Sequence, residues 1–322
     1  MQYRTFGRTG WKVSEVGYGM WGMGSWSGSD DEESERSLDI ALELGCNFFD
    51  TAWFYGKGKS ENLLGAMLKR HPCKKLYIAT KIPPKNFLWP PKIGSTLEDC
   101  FPSDHIIEYT EKSLNNLGVD SVDLQQFHAW DDTWTAKDSW KEAVEKLKKD
   151  GKIHAMGISI NRWEPENVIK ALETGLIDTV QVVYNIFDQA PEDKLFPVCR
   201  KLNIGVIVRV PFDEGTLTGT MTKATTFPKD DWRAFYFNNK NLEASMEHVK
   251  KLKALVPKGM TLPEMALRFV LSRKDISTTI PGMRREKNVR ANLTTSDGTG
   301  LSKSVIEELR KHRWERTRDW LT

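Results

Sequence analysis

The stretch Gly45-Cys-Asn-Phe-Phe-Asp-Thr-Ala-Trp-Phe-Tyr-Gly-Lys-Gly-Lys-Ser-Glu-Asn-Leu-Leu-Gly65 decides how the rest of the chain reads. Cys46 to Thr51 has the continuous apolar character of a short buried strand, and Asp50 stands at its carboxyl end. Tyr55 follows in a turn before a helix that Ser60 is placed to cap. A carboxylate closing an apolar strand is costly unless a cation meets it. The next such run, Leu76-Tyr-Ile-Ala-Thr-Lys-Ile82, carries Lys81 at its end, and the one after, Leu124-Gln-Gln-Phe-His128, ends on His128. Consecutive parallel strands open their carboxyl ends onto one mouth, so Asp50, Tyr55, Lys81 and His128 are expected to face a single site.

Outward from there, strand and helix alternate. Strands are expected at 13–19, 47–52, 76–82, 122–128, 154–160, 179–185, 205–211 and 277–283, each a continuous apolar run of the kind buried on both faces in a parallel sheet. Amphipathic helices fall between them, at Ser34 to Leu44, Glu111 to Leu117, Trp140 to Lys149 and Asn167 to Leu172. Eight such units make an α/β protein, a (β/α)8 TIM barrel, and residues 2–13, with a turn at Gly7-Arg-Thr-Gly10, add an N-terminal β-hairpin ahead of it. Gly17-Tyr-Gly-Met-Trp-Gly22 matches G-x-G-x-x-G, but the polar loop Met23 to Asp30 separates it from the helix starting near Asp31. A dinucleotide fingerprint needs that helix to open on the last glycine. Two insertions break the period, Pro83 to Pro102 and Phe212 to Leu242, both rich in aromatic residues. With Trp21, Trp53, Phe54, Trp130 and Trp134, their Trp89 and Trp232 are candidates to wall an apolar pocket around Tyr55 and His128; the plainer alternative for each ring is packing the loops onto the barrel.

Composition bounds the rest. A chain of 322 residues without a Pro/Gly/Ser linker suits one barrel domain over 1–322. With 39% hydrophobic and 28% charged residues and a mean hydropathy of −0.50, it reads as globular, and it has no apolar run long enough to span a membrane. A net charge of +3 is too small to argue for nucleic acid. The polar start lacks a signal-peptide core, and Cys46, Cys73, Cys100 and Cys199 show no C-x-x-C pair or metal spacing, so a cytoplasmic home with reduced thiols is expected.

The four residues suit carbonyl reduction. A phenol with an ordinary pKa of about 10 is a poor proton donor at neutral pH unless an ammonium favours its phenolate. Lys81 is that ammonium, Asp50 keeps it charged, and a neutral His128 would hold and polarise the substrate oxygen. The plain alternative is a buried ion pair beside a core tyrosine and a satisfied histidine. In their order and spacing Asp50, Tyr55, Lys81 and His128 match the tetrad of the aldo-keto reductases, which the chain resembles nearly from end to end.

That resemblance implies an enzyme reducing aldehydes or ketones with a nicotinamide dinucleotide laid across the mouth. The hairpin would close the barrel's bottom. Trp21 and Gly22 lie beside the ligand at the mouth. Ser159 and Asn161, in Gly157-Ile-Ser-Ile-Asn161, and Gln181 correspond to contacts of the nicotinamide carboxamide, near Asp50. Val210-Pro-Phe-Asp-Glu-Gly-Thr-Leu-Thr-Gly219, with Pro211, Phe212, Gly215 and Leu217, resembles the pyrophosphate loop, and Arg209 stands where the family usually stacks an aromatic ring on the nicotinamide. Gly282, Arg284, Lys287, Asn288 and Asn292 form the adenosine side, where a 2′-phosphate would meet a helix start and a guanidinium; this favours NADPH over a weaker NADH. Ala291 departs from the acid common in the family. Expected partners are a small carbonyl substrate, with no nucleic acid and no membrane, and the protein is a monomer or weak homo-oligomer. Two rival readings stay open: a nicotinamide-binding sensor or channel-type subunit, and a phosphate-binding barrel enzyme without nicotinamide.

Overall fold

The computed structural model of the chain describes residues 1–24, 28, 30–229, 231–237, 239–317 and 320, so part of the polar loop after Met23 lies outside the described residues. The chain opens with an antiparallel hairpin, β1 (Tyr3–Thr5) and β2 (Lys12–Ser14), turned by a 3-10 segment at Gly7–Thr9. Eight parallel strands then follow in order: β3 (Tyr18–Gly19), β4 (Phe48–Asp50), β5 (Tyr77–Ile82), β6 (Val122–Phe127), β7 (Ile153–Ser159), β8 (Thr179–Val183), β9 (Gly205–Arg209) and β10 (Thr278–Thr279). Each pairs with its predecessor, and parallel bridges Val16↔Thr279 and Gly19↔Gly282 bring the first and last strands together, as a (β/α)8 barrel requires. The helices lie between the strands: α1 (Asp31–Glu43), α2 (Lys59–Arg70), α3 (Leu97–Cys100), α4 (Ser103–Leu117), α5 (Ser139–Lys149), α6 (Ile169–Glu173), α7 (Leu195–Leu202), α8 (Trp232–Tyr236), α9 (Asn239–Lys253), α10 (Leu262–Leu271), α11 (Glu286–Leu293) and α12 (Lys303–Arg310).

The period of two along each strand sorts its side chains into two cores. Phe49, Ile78, Phe127, Met156, Ile158 and Val180 pack with the helices, whereas Phe48, Tyr77, Ala79, Leu124, Ala155 and Ile207 gather with Phe6 and Val13 of the hairpin region. The inner set continues along the same strand faces to Asp50, Lys81, Gln126, Ser159, Gln181 and Arg209, so one face passes from hydrocarbon at the amino end to polar groups at the carboxyl end. Gly157 is part of this layering. A Cβ there would lie 2.3 Å from Thr179 Oγ1 and 3.1 Å from Gln126 Cγ, so the glycine makes room first for Thr179 and then for Gln126.

Several boundaries depart from the sequence expectations. Val13 belongs to the hairpin rather than the first barrel strand, which is only Tyr18–Gly19. β9 stops at Arg209 because Val210 turns to φ 57°, an unusual conformation for a β-branched residue, and Pro211 follows without an N–H. β10 ends at Thr279, two residues before Pro281, for the same lack of a donor. Ser60 does not cap α2. Gly58 does, at φ 94°, while the Ser60 hydroxyl accepts from Thr51 Oγ1 at 2.8 Å.

The hairpin seals the barrel's bottom. The Phe6 ring is fully buried and packs on Phe48 at 5.4 Å between centroids, and the Arg8 amide donates to Asn203 O. Arg4 reaches the far end of the chain, its guanidinium donating to the carbonyls of Leu271, Arg273 and Ile276 and so satisfying groups left open after α10. Phe6→Ala should lower unfolding stability by about 3–5 kcal/mol, the usual cost of removing a buried phenylalanine. Because the ring lies at the end away from the polar groups, ligand affinities should not change; chemical denaturation and binding titration of the same variant check both halves.

Candidate active site

β4 and β5 pair in the register Asp50↔Ala79, which sets Lys81 one step above Asp50 on the inner face. Lys81 has no solvent exposure, and its Nζ donates to Asp50 Oδ1 at 2.5 Å and to Thr51 O at 2.7 Å. It also lies 3.4 Å from the Tyr55 hydroxyl. The tyrosine arrives from the turn between β4 and α2, closed by the Gly58 amide donating to Trp53 O. His128 follows β6, its ring 5.7 Å from that of Tyr55 and steeply inclined to it. The four residues therefore meet at the carboxyl ends of three neighbouring strands.

Burial is the largest influence on both the phenol and the imidazole. It pushes the Tyr55 hydroxyl above its ordinary value, with Lys81 pulling the other way, so the phenol stays protonated at neutral pH. Lys81 acts in the expected direction, towards the phenolate, but desolvation outweighs it. Burial, then the cations Lys81 and Arg209, hold His128 well below the ordinary imidazole value, leaving it neutral. The group can offer one proton from Tyr55, beside the Lys81 ammonium that favours its release, and a neutral histidine ring to the same oxygen.

The second oxygen of Asp50 carries two amides: Gln181 Nε2 donates at 2.7 Å and Gln126 Nε2 at 3.1 Å. Gln126 also accepts from Gln181 at 3.3 Å. Sequence reasoning passed over Gln126; its signal was a polar pair, Gln125-Gln126, inside an apolar strand ending on a candidate histidine. Glu61 was also missed. It is fully buried on α2 and accepts from Thr80 Oγ1 at 2.5 Å and Asn116 Nδ2 at 2.8 Å, and burial raises its carboxyl above the ordinary range.

Around these lie the other expected residues. Ser159 is buried at the end of β7, and Asn161 donates to Trp130 O at 2.8 Å while its Oδ1 is buried without a hydrogen-bond partner. Such an orphaned acceptor suits an amide N–H from a ligand, as a nicotinamide carboxamide would provide. Arg209 Nη2 donates to Ile160 O at 3.0 Å and its guanidinium lies 5.5 Å from the Trp89 ring, but its Nε is buried and unpaired. Burial and the neighbouring Arg162 push this guanidinium down to about 10. The loop after β9 is strained, with Val210, Asp213 and Glu214 at φ 57°, 48° and 54°. Pro211 and Leu217 are buried in it, Phe212 packs on the core, and Gly215 (φ 105°) and Gly219 (φ 75°) supply its sharpest turns. Arg316, almost fully buried, holds the loop from behind by pairing with Asp213 at 2.8 Å and Asp188 at 2.6 Å, and Arg162 pairs with Glu214 at 2.7 Å. Neither arginine carried a sequence signal.

Trp21 and Gly22 form a 3-10 turn beyond β3, and the half-buried Arg284 donates to Gly22 O at 3.3 Å. Gly282 is exposed just before it. α11 begins beyond Arg285 without a side-chain cap, with Lys287 and Asn288 exposed in its first turn and Asn292 buried one turn on. Of the aromatic residues, Trp53 packs on Tyr109 and Phe87, while Trp89 lies 6.1 Å from His128 and 5.6 Å from Trp232. Trp130 is fully buried among Phe127, Trp134 and Trp140, so its ring belongs to the core and only its carbonyl, held by Asn161, faces this region. Among the described residues no cluster of His, Cys, Asp or Glu could hold a metal, no helix is long and apolar enough to cross a membrane, and all four cysteines are free.

The sequence model of the Aldo/keto reductase family matches residues 15–313. An NADH-specific methylglyoxal reductase of Escherichia coli K12 is 28% identical over 95% of this chain and 98% of its own length. An NADP(+) aldo-keto reductase of Schizosaccharomyces pombe is also 28% identical, over 93% of this chain and 88% of its own. Among solved structures, the glycerol dehydrogenase of Gluconobacter oxydans superposes with a TM-score of 0.79 at 29% identity, covering 97% of this chain and 94% of that one.

If the imidazole is held neutral as described, its carbon-bound proton resonance should not titrate between about pH 8 and about pH 6, where a free histidine changes charge. An NMR pH series on labelled protein, with His128→Gln to assign the signal, reads this directly. A midpoint near the ordinary value of about 6.5 would count against the buried, cation-flanked geometry.

Proposed function

The chain belongs to the aldo/keto reductase family, and from that premise we propose that it reduces aldehydes and ketones to alcohols with NADPH, Tyr55 donating the proton. The observation that carries this reading is the Lys81 ammonium held between Asp50 and the Tyr55 hydroxyl beside a neutral His128. When bound, the nicotinamide supplies the hydride, which no side chain can. His128 orients the carbonyl oxygen and polarises it, Tyr55 protonates it as negative charge develops, and Lys81 steadies the phenolate left behind. Asp50 keeps Lys81 charged in a site without solvent. Ser159, Asn161 and Gln181 would hold the carboxamide, and Arg209 would lie against the ring. The strained loop Val210 to Gly219 would meet the pyrophosphate with its backbone N–H groups.

For the adenosine end, Arg284 beside an uncapped helix start favours a 2′-phosphate, with Lys287 and Asn288 in reach of it. The two relatives differ in the cofactor that their names carry, so this preference rests on the chain's own cations. NADH is then accepted more weakly. The reading includes a cytoplasmic enzyme, a monomer or weak homo-oligomer, acting on a small carbonyl compound.

Tyr55→Phe should abolish turnover, by about 10² to 10⁴-fold for loss of a general acid, while NADPH affinity stays nearly unchanged. Steady-state rates with a reactive aldehyde decide it, and a variant keeping more than about a third of the activity would remove Tyr55 from the role. Arg284→Ala should weaken NADPH by roughly 1.5–3 kcal/mol, the range for hydrogen bonds to charged groups, and leave NADH almost untouched. Fluorescence titration with both cofactors makes the comparison; equal losses would mean that Arg284 supports the fold instead.

A further inference from the structure

The loop after β9 holds three side-chain-bearing residues at positive φ, Val210 at 57°, Asp213 at 48° and Glu214 at 54°, and each is tied down by a polar group from another element. Val210 O accepts from Asn185 Nδ2 at 3.1 Å, and Glu214 pairs with Arg162 at 2.7 Å. Asp213 is held from much farther along the chain, by Arg316 beyond α12 at 2.8 Å. Backbone of this kind persists only where its surroundings over-determine it, so these ties decide the loop's shape.

Arg316 differs from the other two ties in that it joins two like charges. Its Nη2 donates to Asp213 Oδ1 at 2.8 Å and to Asp188 Oδ2 at 2.6 Å, while Nη1 donates to the Tyr236 hydroxyl at 3.0 Å. All three charged side chains are buried, so the two carboxylates share one cation out of water and would repel each other without it. Asp188 is fixed: its amide and that of Phe187 donate to Asn185 Oδ1, and Asn185 Nδ2 donates to its carboxylate at 3.0 Å. Asp213 is the partner on the strained loop, so it is the one that would move. The guanidinium is anchored on its own side as well. The Trp314 amide donates to Phe187 O at 2.9 Å, its ring stacks on His248 of α9 at 3.9 Å, and Arg313 pairs with Asp193 at 2.5 Å.

We propose that Arg316 is a positioning residue for the dinucleotide. By bridging Asp188 and Asp213 it holds Val210 to Gly219 in the shape that receives the pyrophosphate, and so sets how firmly and for how long the cofactor is kept. The inference rests on the reductase reading above and extends it to a side chain that acts from behind the loop, through Asp213. NADH and NADPH share the pyrophosphate, so Arg316 acts on both alike, whereas Arg284 is placed to tell them apart.

The test compares wild type with Arg316→Met, Arg316→Lys and the double variant Arg316→Met/Asp188→Asn. Each is titrated with NADPH and with NADH by fluorescence, and release of bound NADPH is timed by stopped flow against excess NADP+. Arg316→Met should weaken both cofactors by the same factor, roughly tenfold to hundredfold for loss of a hydrogen-bonded charge, with release faster to match. In steady state the change should fall on KM for the dinucleotide, with kcat not lowered. Arg316→Lys keeps the charge but not the fork and should lie between. Asp188→Asn in the Met background should recover part of the loss, because it removes the repulsion; a role in packing alone predicts a further loss instead. Unchanged affinity and release in folded Arg316→Met, a loss confined to NADPH, or a double variant worse than the single would each overturn the inference while the reductase reading stands. Should Arg316→Met fail to fold, Arg316→Lys decides on the same two measurements. If the wild type bound neither dinucleotide, the reductase reading would fall and this inference with it.

Discussion

Everything at the mouth depends on the Asp50–Lys81 ion pair. A lysine without solvent exposure is stable as a cation only where its desolvation is offset by close, fully partnered charge. Here Asp50 Oδ1 takes the ammonium, Oδ2 takes two glutamine amides, and Thr51 O takes a further proton of the ammonium. No oxygen of the carboxylate is left over for solvent, so the pair has one geometry. That geometry in turn aims Lys81 at the phenol. Removing either partner would leave the other buried and unpaired, a loss well beyond that of an exposed salt bridge.

The same pair explains why the site lies where it does. Parallel strands in register carry inner-face residues in alternate layers, and the lower layers are filled with Phe48, Tyr77, Leu124 and Ile207. Charge can enter only above them, where the hydrocarbon ends and the loops begin. Phe6 completes the apolar floor from below, which keeps water from reaching the pair by the other end of the barrel.

Much of this was legible in the sequence because it is local. Continuous apolar runs ending in Asp50, Lys81 and His128 announced both the strands and the mouth, and the count of alternating units announced the barrel. Boundaries were less legible where a backbone detail intervened, as at Val210 and Pro281. What stayed dark was long-range. Gln126 reads as a misplaced polar residue until Asp50 is seen across the barrel, and Arg316 acquires a role only when Asp188 and Asp213, each more than a hundred residues earlier, close around it. Trp130 shows the opposite failure: a tryptophan two residues after a site histidine looks like a pocket wall, but its ring turns into the core.

The reach of Arg4 has a consequence for how the molecule comes into being. Its guanidinium is held by three carbonyls that lie between 267 and 272 residues further along the chain. This one contact therefore cannot form until the strands and helices between have been made. Loop-closure entropy over that separation opposes the contact, so Arg4 would be expected to lock after the intervening units have paired. Before then the lower hydrocarbon layer would be less firmly closed to water and to other unfinished chains, a state that favours aggregation.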